Sequence, residues 1–228
     1  MEQEFSIFHE IEAAKMSEWH VPYAALFREC NWVVDLGCGT GTFLNLLKDN
    51  GVRGVGMEID GKLANQLNKA GHTVYHATHK DIREYAIGFD GIHISHLIEH
   101  LWGEEMKTVL EDCRDCLLPN GLLVIRTPNW SNKNVSGGGF WDDYTHVRPY
   151  SLRQLERMLT DMGMVVTASG YEPFGWEDTY LVARKKPVKL SIIHSDQPVW
   201  PSSRVTLNKP PSLGIKIKRR LRRWLLED

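Results

Sequence analysis

Four side chains capable of acid–base or metal chemistry fall within eight residues: His93, His96, Glu99 and His100. His96, Glu99 and His100 are spaced i, i+3, i+4, which places all three on one side of the chain if it turns helical there. Imidazole nitrogen with a carboxylate is a ligand set for a divalent metal. A histidine alone can also carry a proton near neutral pH. A fourth candidate is His146, in Trp141-Asp142-Asp143-Tyr144-Thr145-His146-Val147-Arg148. Two chemical readings follow. In one, His96, Glu99, His100 and His146 hold a metal; in the other, His146 or His100 is a general base beside Glu99 without one. A structural role for the histidines is the third reading, and His93 is read as core.

A second constellation is Asp35-Leu36-Gly37-Cys38-Gly39-Thr40-Gly41, directly after an apolar run. Glycines at such a point let the backbone approach a ligand and turn sharply into a helix. Glu58 ends the next apolar run, 17 residues after Gly41, where a carboxylate can accept both hydroxyls of a ribose. The spacing D-x-G-x-G-x-G differs from the G-x-G-x-x-G of nicotinamide sites. With an acidic residue before the first glycine, it suits a ligand carrying an amino-acid moiety better than a pyrophosphate.

These residues need a scaffold, and the periodicity supplies one. Strands are expected over Asn31–Gly37, Arg53–Glu58, Thr73–Ala77, Phe89–Leu97, Gly121–Thr127, Met164–Ser169 and Thr179–Arg184. Helices are expected from Thr42, over Gly61–Ala70, over Glu104–Leu118 and over Ser151–Met162, the last capped by Ser151, with Pro119-Asn120-Gly121 as a turn. Strand–helix alternation predicts an α/β fold with a doubly wound, mostly parallel, seven-stranded sheet. The last two strands have only a loop between them, which predicts an antiparallel final strand.

On these motifs the region from Asn31 to Arg184 resembles the class I S-adenosylmethionine (SAM) methyltransferases, which have a Rossmann-like fold. DLGCGTG is similar to their first motif and VGMEID to their second-strand motif. Lys80-Asp81-Ile82 resembles the motif whose Asp meets the adenine amino group, FDGIHISHLIEHL the fourth-strand motif and LLPNGLLVIRTPN the fifth. The resemblance implies SAM as cofactor, bound by Asp35, Gly37, Gly39, Gly41, Glu58, Asp81 and His96. A sulfonium methyl is already electrophilic, so the enzyme must mainly align it with a nucleophile. A hydroxyl nucleophile also needs its proton removed by a base, or its pKa lowered by a metal.

The run His96-Leu97-Ile98-Glu99-His100 further resembles the Glu-x-x-Glu-His of the ubiquinone-biosynthesis and small-RNA 2′-O-methyltransferases. His96 replaces a Glu there. The exchange of oxygen for nitrogen shifts the expected preference from Mg²⁺ toward Mn²⁺, Fe²⁺, Co²⁺ or Zn²⁺.

Asn129–Arg148 is long, polar and holds three consecutive glycines, the pattern of a substrate loop or lid. Trp141, Asp142, Tyr144 and Arg148 are its candidate acceptor contacts, since rings and carboxylates together suit a sugar and rings alone suit a flat aromatic molecule. An aromatic-anchored surface loop is the bland alternative. The D-x-x-H-x-R-P-Y-S stretch resembles methyltransferases found with bacterial surface-polysaccharide and glycan enzymes. The expected function is therefore O-methylation of a sugar or glycan hydroxyl, with lipid-linked saccharides among the candidate acceptors. The alternatives are a phenolic or quinone-precursor hydroxyl and, in another class, a non-catalytic SAM-binding regulatory module.

Composition bounds the rest. The chain of 228 residues carries a net charge of −2, but residues 213–228 hold six basic and two acidic side chains, leaving −6 on the remainder. An acidic body argues against nucleic acid as a partner. Four cysteines do not make a disulfide scaffold, and Cys113-Arg114-Asp115-Cys116 has no second pair for zinc. The acidic N-terminal stretch is unlike an export signal, and a cytoplasmic location is expected. Residues 1–186 read as the catalytic domain with residues 1–30 as a helical cap, and 187–212 as a proline-rich linker. Residues 213–228 read as a basic amphipathic tail that could lie on the inner membrane face, dock on protein, or stay disordered.

Overall fold

In the computed structural model, residues 18–173 and 178–187 are described. The expected linker beyond Pro187, the basic tail and the first 17 residues of the helical cap lie outside them. Residues 18–26 are helical. Seven strands follow: β1 Trp32–Leu36, β2 Arg53–Glu58, β3 Thr73–His76, β4 Phe89–Ser95, β5 Leu117–Thr127, β6 Met164–Tyr171 and β7 Thr179–Lys185. The helices used below are α1 Thr42–Asp49, α2 Gly61–Lys69, α3 Gly103–Cys116 and α4 Leu152–Asp161.

The strands form one sheet in the order β3-β2-β1-β4-β5-β7-β6. The β1–β2, β1–β4, β2–β3 and β4–β5 pairs are parallel, whereas β7 runs antiparallel to both β5 and β6. This is the expected Rossmann-like doubly wound sheet with a reversed final strand. The two-fold alternation of side chains along each strand fills a core on each face. Ile92, Ile94, Leu123 and Ile125 pack on one side with Leu110 and Val109 of α3, and Val33, Leu122 and Val124 pack on the other with Phe27, Phe43 and Leu44.

Local signals mark most boundaries. Asp60 caps α2 by accepting from the amides of Lys62 and Leu63, and Ser151 caps α4 by accepting from Gln154. The expected Pro119-Asn120-Gly121 turn is instead an irregularity within β5. Asn120 sits at φ 67°, and the β4–β5 register jumps from Phe89↔Leu117 to Gly91↔Leu122. The extra residues bulge out, and the ladder then resumes. No helix among the described residues is long and apolar enough to cross a membrane.

Gly91 has a packing reason to be glycine. A Cβ there would lie 2.6 Å from two ring carbons of Phe27 and 3.2 Å from Val33. Phe27 is wholly buried, and its ring docks the N-terminal segment on the sheet at this point. Gly91→Ala should therefore destabilise by about 1–3 kcal/mol through overpacking. Thermal unfolding measures this, and an unchanged Tm would mean that Phe27 is free to move aside.

Candidate functional site

The parallel strands all point their C-terminal ends to one edge, and the sheet order reverses beside β1, between β1 and β4. Open α/β sheets bind ligands at such a switch point. Here Gly37, Gly39 and Gly41 take φ of 78°, 51° and 77°, left-handed values that residues with a Cβ rarely adopt. Gly41 is the N-cap of α1 and offers no side-chain acceptor, so the first amides of the helix lack a side-chain cap. Glu58 is gathered against the turn: Gly39 N–H donates to its Oε2 at 2.9 Å and Asp60 N–H to its Oε1 at 2.8 Å. A cavity of about 220 Å³ lies against this turn, lined by Leu36, Gly37, Met57, Glu58, Ile59, Ala77, Thr78, His79, His96 and Leu97.

Two of the residues assigned to the cofactor from sequence, Asp35 and Asp81, are not among those lining the cavity. Asp35 is buried, and its Oδ1 lies 2.7 Å from Nδ1 of His93, its register partner on β4. Burial pushes the Asp35 carboxyl up to about 8, and burial holds His93 well below the usual imidazole range. The His93 ring stacks on Phe43 with centroids 3.6 Å apart, so it is core as expected, but polar core. Asp81 turns back on its own chain: its Oδ2 accepts from the amide and hydroxyl of Thr78, a capping box that holds its pKa down. Thr78 and His79 face the cavity in its place, with His79 Nε2 3.1 Å from Glu105 on α3.

The acceptor side begins where β4 ends. The expected helical face of His96, Glu99 and His100 does not form. His96 adopts φ 51°, and only a 3-10 turn, Ile98–His100, follows. His96 is thereby separated from His100. Its Nε2 lies 2.8 Å from Asp178 Oδ2 and its Nδ1 3.1 Å from Glu99 Oε1. Burial opposes protonation most strongly, yet the bonds to Asp178 and Glu99 prevail and raise His96 to about 10. With both nitrogens committed as donors, His96 has no lone pair for a metal, which corrects its place in the expected ligand set.

Glu99, His100 and His146 do converge, each with a potential ligand atom within 4.8 Å of the others'. Glu99 is wholly buried, and Thr127 Oγ1 donates to its Oε2 at 3.0 Å. Its backbone carbonyl accepts from the amides of Val147 and Arg148, which anchors the long loop so that His146 returns to the strand end. His146 Nδ1 faces the carbonyl of Phe140 at 2.6 Å, and His100 Nδ1 faces that of Thr145 at 3.2 Å. A carbonyl only accepts, so each Nδ1 is the donor there, which in the neutral ring puts the lone pair on Nε2. Such an outer contact on the far ring nitrogen is the arrangement of metal-ligating histidines, and two imidazoles with one carboxylate fit Mn²⁺, Fe²⁺, Co²⁺ or Zn²⁺.

Of the proposed acceptor contacts, Tyr144 is 95% and Trp141 54% exposed. Asp142 is also exposed, while Arg148 lies over the ring of Tyr150. Phe140 is buried between Trp130, Trp141 and His146 and pins the loop. Cys38, Cys113 and Cys116 are all buried with thiol pKa values pushed up by burial, a setting for inert thiols.

Sequence reasoning missed a buried polar cluster beside this site. Arg126, near the end of β5 and 1% exposed, donates to both oxygens of Glu172, to Asp178 Oδ2 at 3.0 Å, to Ser95 Oγ and to His20 Nε2. Tyr23 donates to the same Glu172, and its ring lies under the guanidinium. His20 is neutral, pushed to about 2 first by burial and then by the charges of His93 and Arg126. Its Nδ1 and Asp178 Oδ1 are buried without a hydrogen-bond partner among the described residues. The one available signal was a charged residue near the end of the apolar run GLLVIRT. Nothing local marks Glu172 or Asp178.

Comparison with known proteins places the architecture. A family model described as a methyltransferase domain matches residues 8–169. No curated protein matches the chain by sequence. Among solved structures, a SAM-dependent methyltransferase from Archaeoglobus fulgidus is 22% identical, with a TM-score of 0.65 over 76% of this chain and 94% of that one. A 1,6-didemethyltoxoflavin-N1-methyltransferase from Burkholderia thailandensis is 16% identical, with a TM-score of 0.59 over 81% and 86%. A magnesium protoporphyrin IX methyltransferase from Synechocystis PCC 6803 is 14% identical, with a TM-score of 0.56 over 81% and 83%. At these identities the shared property is the fold.

The Asp35–His93 pair gives a pH-dependent test. The folded pKa of Asp35 is raised, so its contribution to stability is complete below about pH 4 and is lost as the pH climbs through about 8. Asp35→Asn keeps the shape and cannot ionise. The variant should stay within about 1 kcal/mol of the parent near pH 4 and gain on it steadily as the pH rises from about 4 to about 8. Parallel Tm curves for the two proteins would mean that Asp35 ionises freely.

Proposed function

This chain belongs to the methyltransferase-domain family, and on that basis we propose that it transfers the methyl group of SAM to a hydroxyl of a sugar or glycan acceptor. The observation that carries the reading is the convergence of Glu99, His100 and His146 within 4.8 Å, next to a cavity edge formed by His96 and Leu97. An amine acceptor with a free lone pair needs no such group. An alcohol is a poor nucleophile until its proton is taken or its pKa lowered.

SAM supplies an electrophilic methyl carbon on its sulfonium. The glycine turn and Glu58 are suited to hold its amino-acid and ribose parts, with Thr78 and His79 further along the wall. The acceptor oxygen forms the new bond to the methyl carbon while the carbon–sulfur bond breaks and its electron pair stays on sulfur. The hydroxyl proton passes to Nε2 of His100 or His146, whose Nδ1 atoms face backbone carbonyls, and Asp143 Oδ2 lies 3.9 Å from the His146 Nε2. Where the same three residues hold a divalent metal, it would lower the hydroxyl pKa directly. The exposed rings of Trp141 and Tyr144 beside Asp142 support a sugar, with apolar ring faces for CH groups and a carboxylate for hydroxyls. The same rings would stack on a flat acceptor, and this supports a phenolic or quinone-precursor hydroxyl as the second reading.

Methyl transfer to a panel of sugars, catechols, amines and RNA separates these readings. Glu99→Ala and His146→Ala should each lower transfer to the accepted hydroxyl by about 10²–10⁴-fold and leave SAM affinity unchanged. Full activity in both variants, or transfer to amines alone, would overturn the proposal. Transfer that stops in chelator and returns with Mn²⁺ assigns the cluster to a metal. Transfer that is undiminished in chelator assigns it to a histidine base.

A further inference from the structure

Glu99 is a fully buried carboxylate with two side-chain donors, Thr127 Oγ1 on Oε2 and His96 Nδ1 on Oε1. The second donor is not free to choose its direction. The His96 ring is held from behind by Asp178 Oδ2 at 2.8 Å, and Asp178 is held in turn by Arg126 Nη2 at 3.0 Å. The His96 backbone is tied to the same place, because its N–H donates to the Arg126 carbonyl. His96 also sits at φ 51°, a conformation a non-glycine residue keeps only when its surroundings impose it. Residues from three separate parts of the chain thus form one line, Arg126–Asp178–His96–Glu99, that ends on the carboxylate of the reacting cluster.

We propose that this line is a positioning strut: Asp178, acting through the His96 ring, fixes the Glu99 carboxylate for its work with His100 and His146. His96 is a spacer in it, with two N–H groups pointing in opposite directions to two carboxylates. This rests on the reading of Glu99 as part of the reacting cluster, but the strut itself is a claim about hydrogen bonds and can be tested apart from that reading.

The position of Asp178 makes the test specific. Its Oδ2 takes both bonds, from His96 and Arg126, while Oδ1 has no partner among the described residues. An amide oxygen in Asp178→Asn can accept the same two bonds, with its NH₂ in the unpartnered position. Asp178→Ala removes the acceptor. Outer contacts of this kind are worth about 10–100-fold in activity. Asp178→Ala should therefore lower kcat about 10–100-fold, with KM for SAM within about twofold. Asp178→Asn should restore most of kcat. The double variant Asp178→Ala/His96→Ala should be no worse than the poorer single variant, because both cut one line. Additive losses, an unchanged kcat in Asp178→Ala, or an Asp178→Asn as slow as Asp178→Ala would each overturn the strut.

If Asp178→Ala does not fold, NMR of the full-length parent decides. The strut requires a hydrogen bond at each ring nitrogen of His96, read as ¹⁵N shifts of Nδ1 and Nε2 displaced from those of a solvated imidazole and assigned by their loss in His96→Ala; solvated-imidazole shifts at either nitrogen refute it. If the parent methylates no hydroxyl, the proposed function fails, and the ring nitrogens still report on the strut.

Discussion

The burial of one guanidinium constrains this whole edge of the molecule. Arg126 is 1% exposed, and a charge removed from water must recover its solvation from fixed partners or the fold does not form. Its partners come from three separate parts of the chain: His20 and Tyr23 in the N-terminal segment, Ser95 at the end of β4, and Glu172 with Asp178 flanking the β6–β7 connection. Depriving such a charge of one charged partner typically costs about 3–5 kcal/mol, a large share of the stability of a domain this size. The arginine therefore dictates which segments meet, whatever the net worth of each ion pair. Its own pKa is raised: burial opposes the charge, and the bonds to Glu172 outweigh it.

Side-chain parity along the strands divides the work at this edge. Asp35, His93 and Arg126 alternate onto the face that carries Phe27 and Phe43, with Val33, Val124 and Val182. Thr127 points to the opposite face, where it meets Glu99. His96 lies at the strand end between these two groups and touches both.

How much of this was legible in the sequence depends on how local the determining contact is. The seven strands, the antiparallel last pair, the Ser151 cap and the glycine turn are set by neighbours a few residues away, and periodicity displays them. Glu58 was legible for the same reason, since it closes a strand at a fixed distance from Gly41. The role of Asp35 was not, because its partner His93 is 58 residues away. The capping box of Asp81 with Thr78 was not read from the motif, although a carboxylate three residues after a threonine is its local signature. The helical face expected of His96, Glu99 and His100 failed because a single left-handed residue ends the helical geometry, and no propensity scale foresees that in a histidine. Arg126, Glu172 and Asp178 meet across 46 to 52 positions, beyond any local pattern.

The left-handed histidine has a physical rationale of its own. A carboxylate at position 96 would stand between the buried Glu99 and Asp178, three acids in a row with no proton donor among them. Like charges at such distances cannot all stay ionised. An imidazolium there supplies two N–H donors on opposite edges of a rigid ring, and each acid receives one. The histidine at 96 and the aspartate at 178 are thus a matched pair: either alone would leave a buried polar group without its partner. The cost to metal chemistry follows directly. By joining two carboxylates, His96 commits both ring nitrogens, and among the described residues Glu99, His100 and His146 are the group left that could hold a metal.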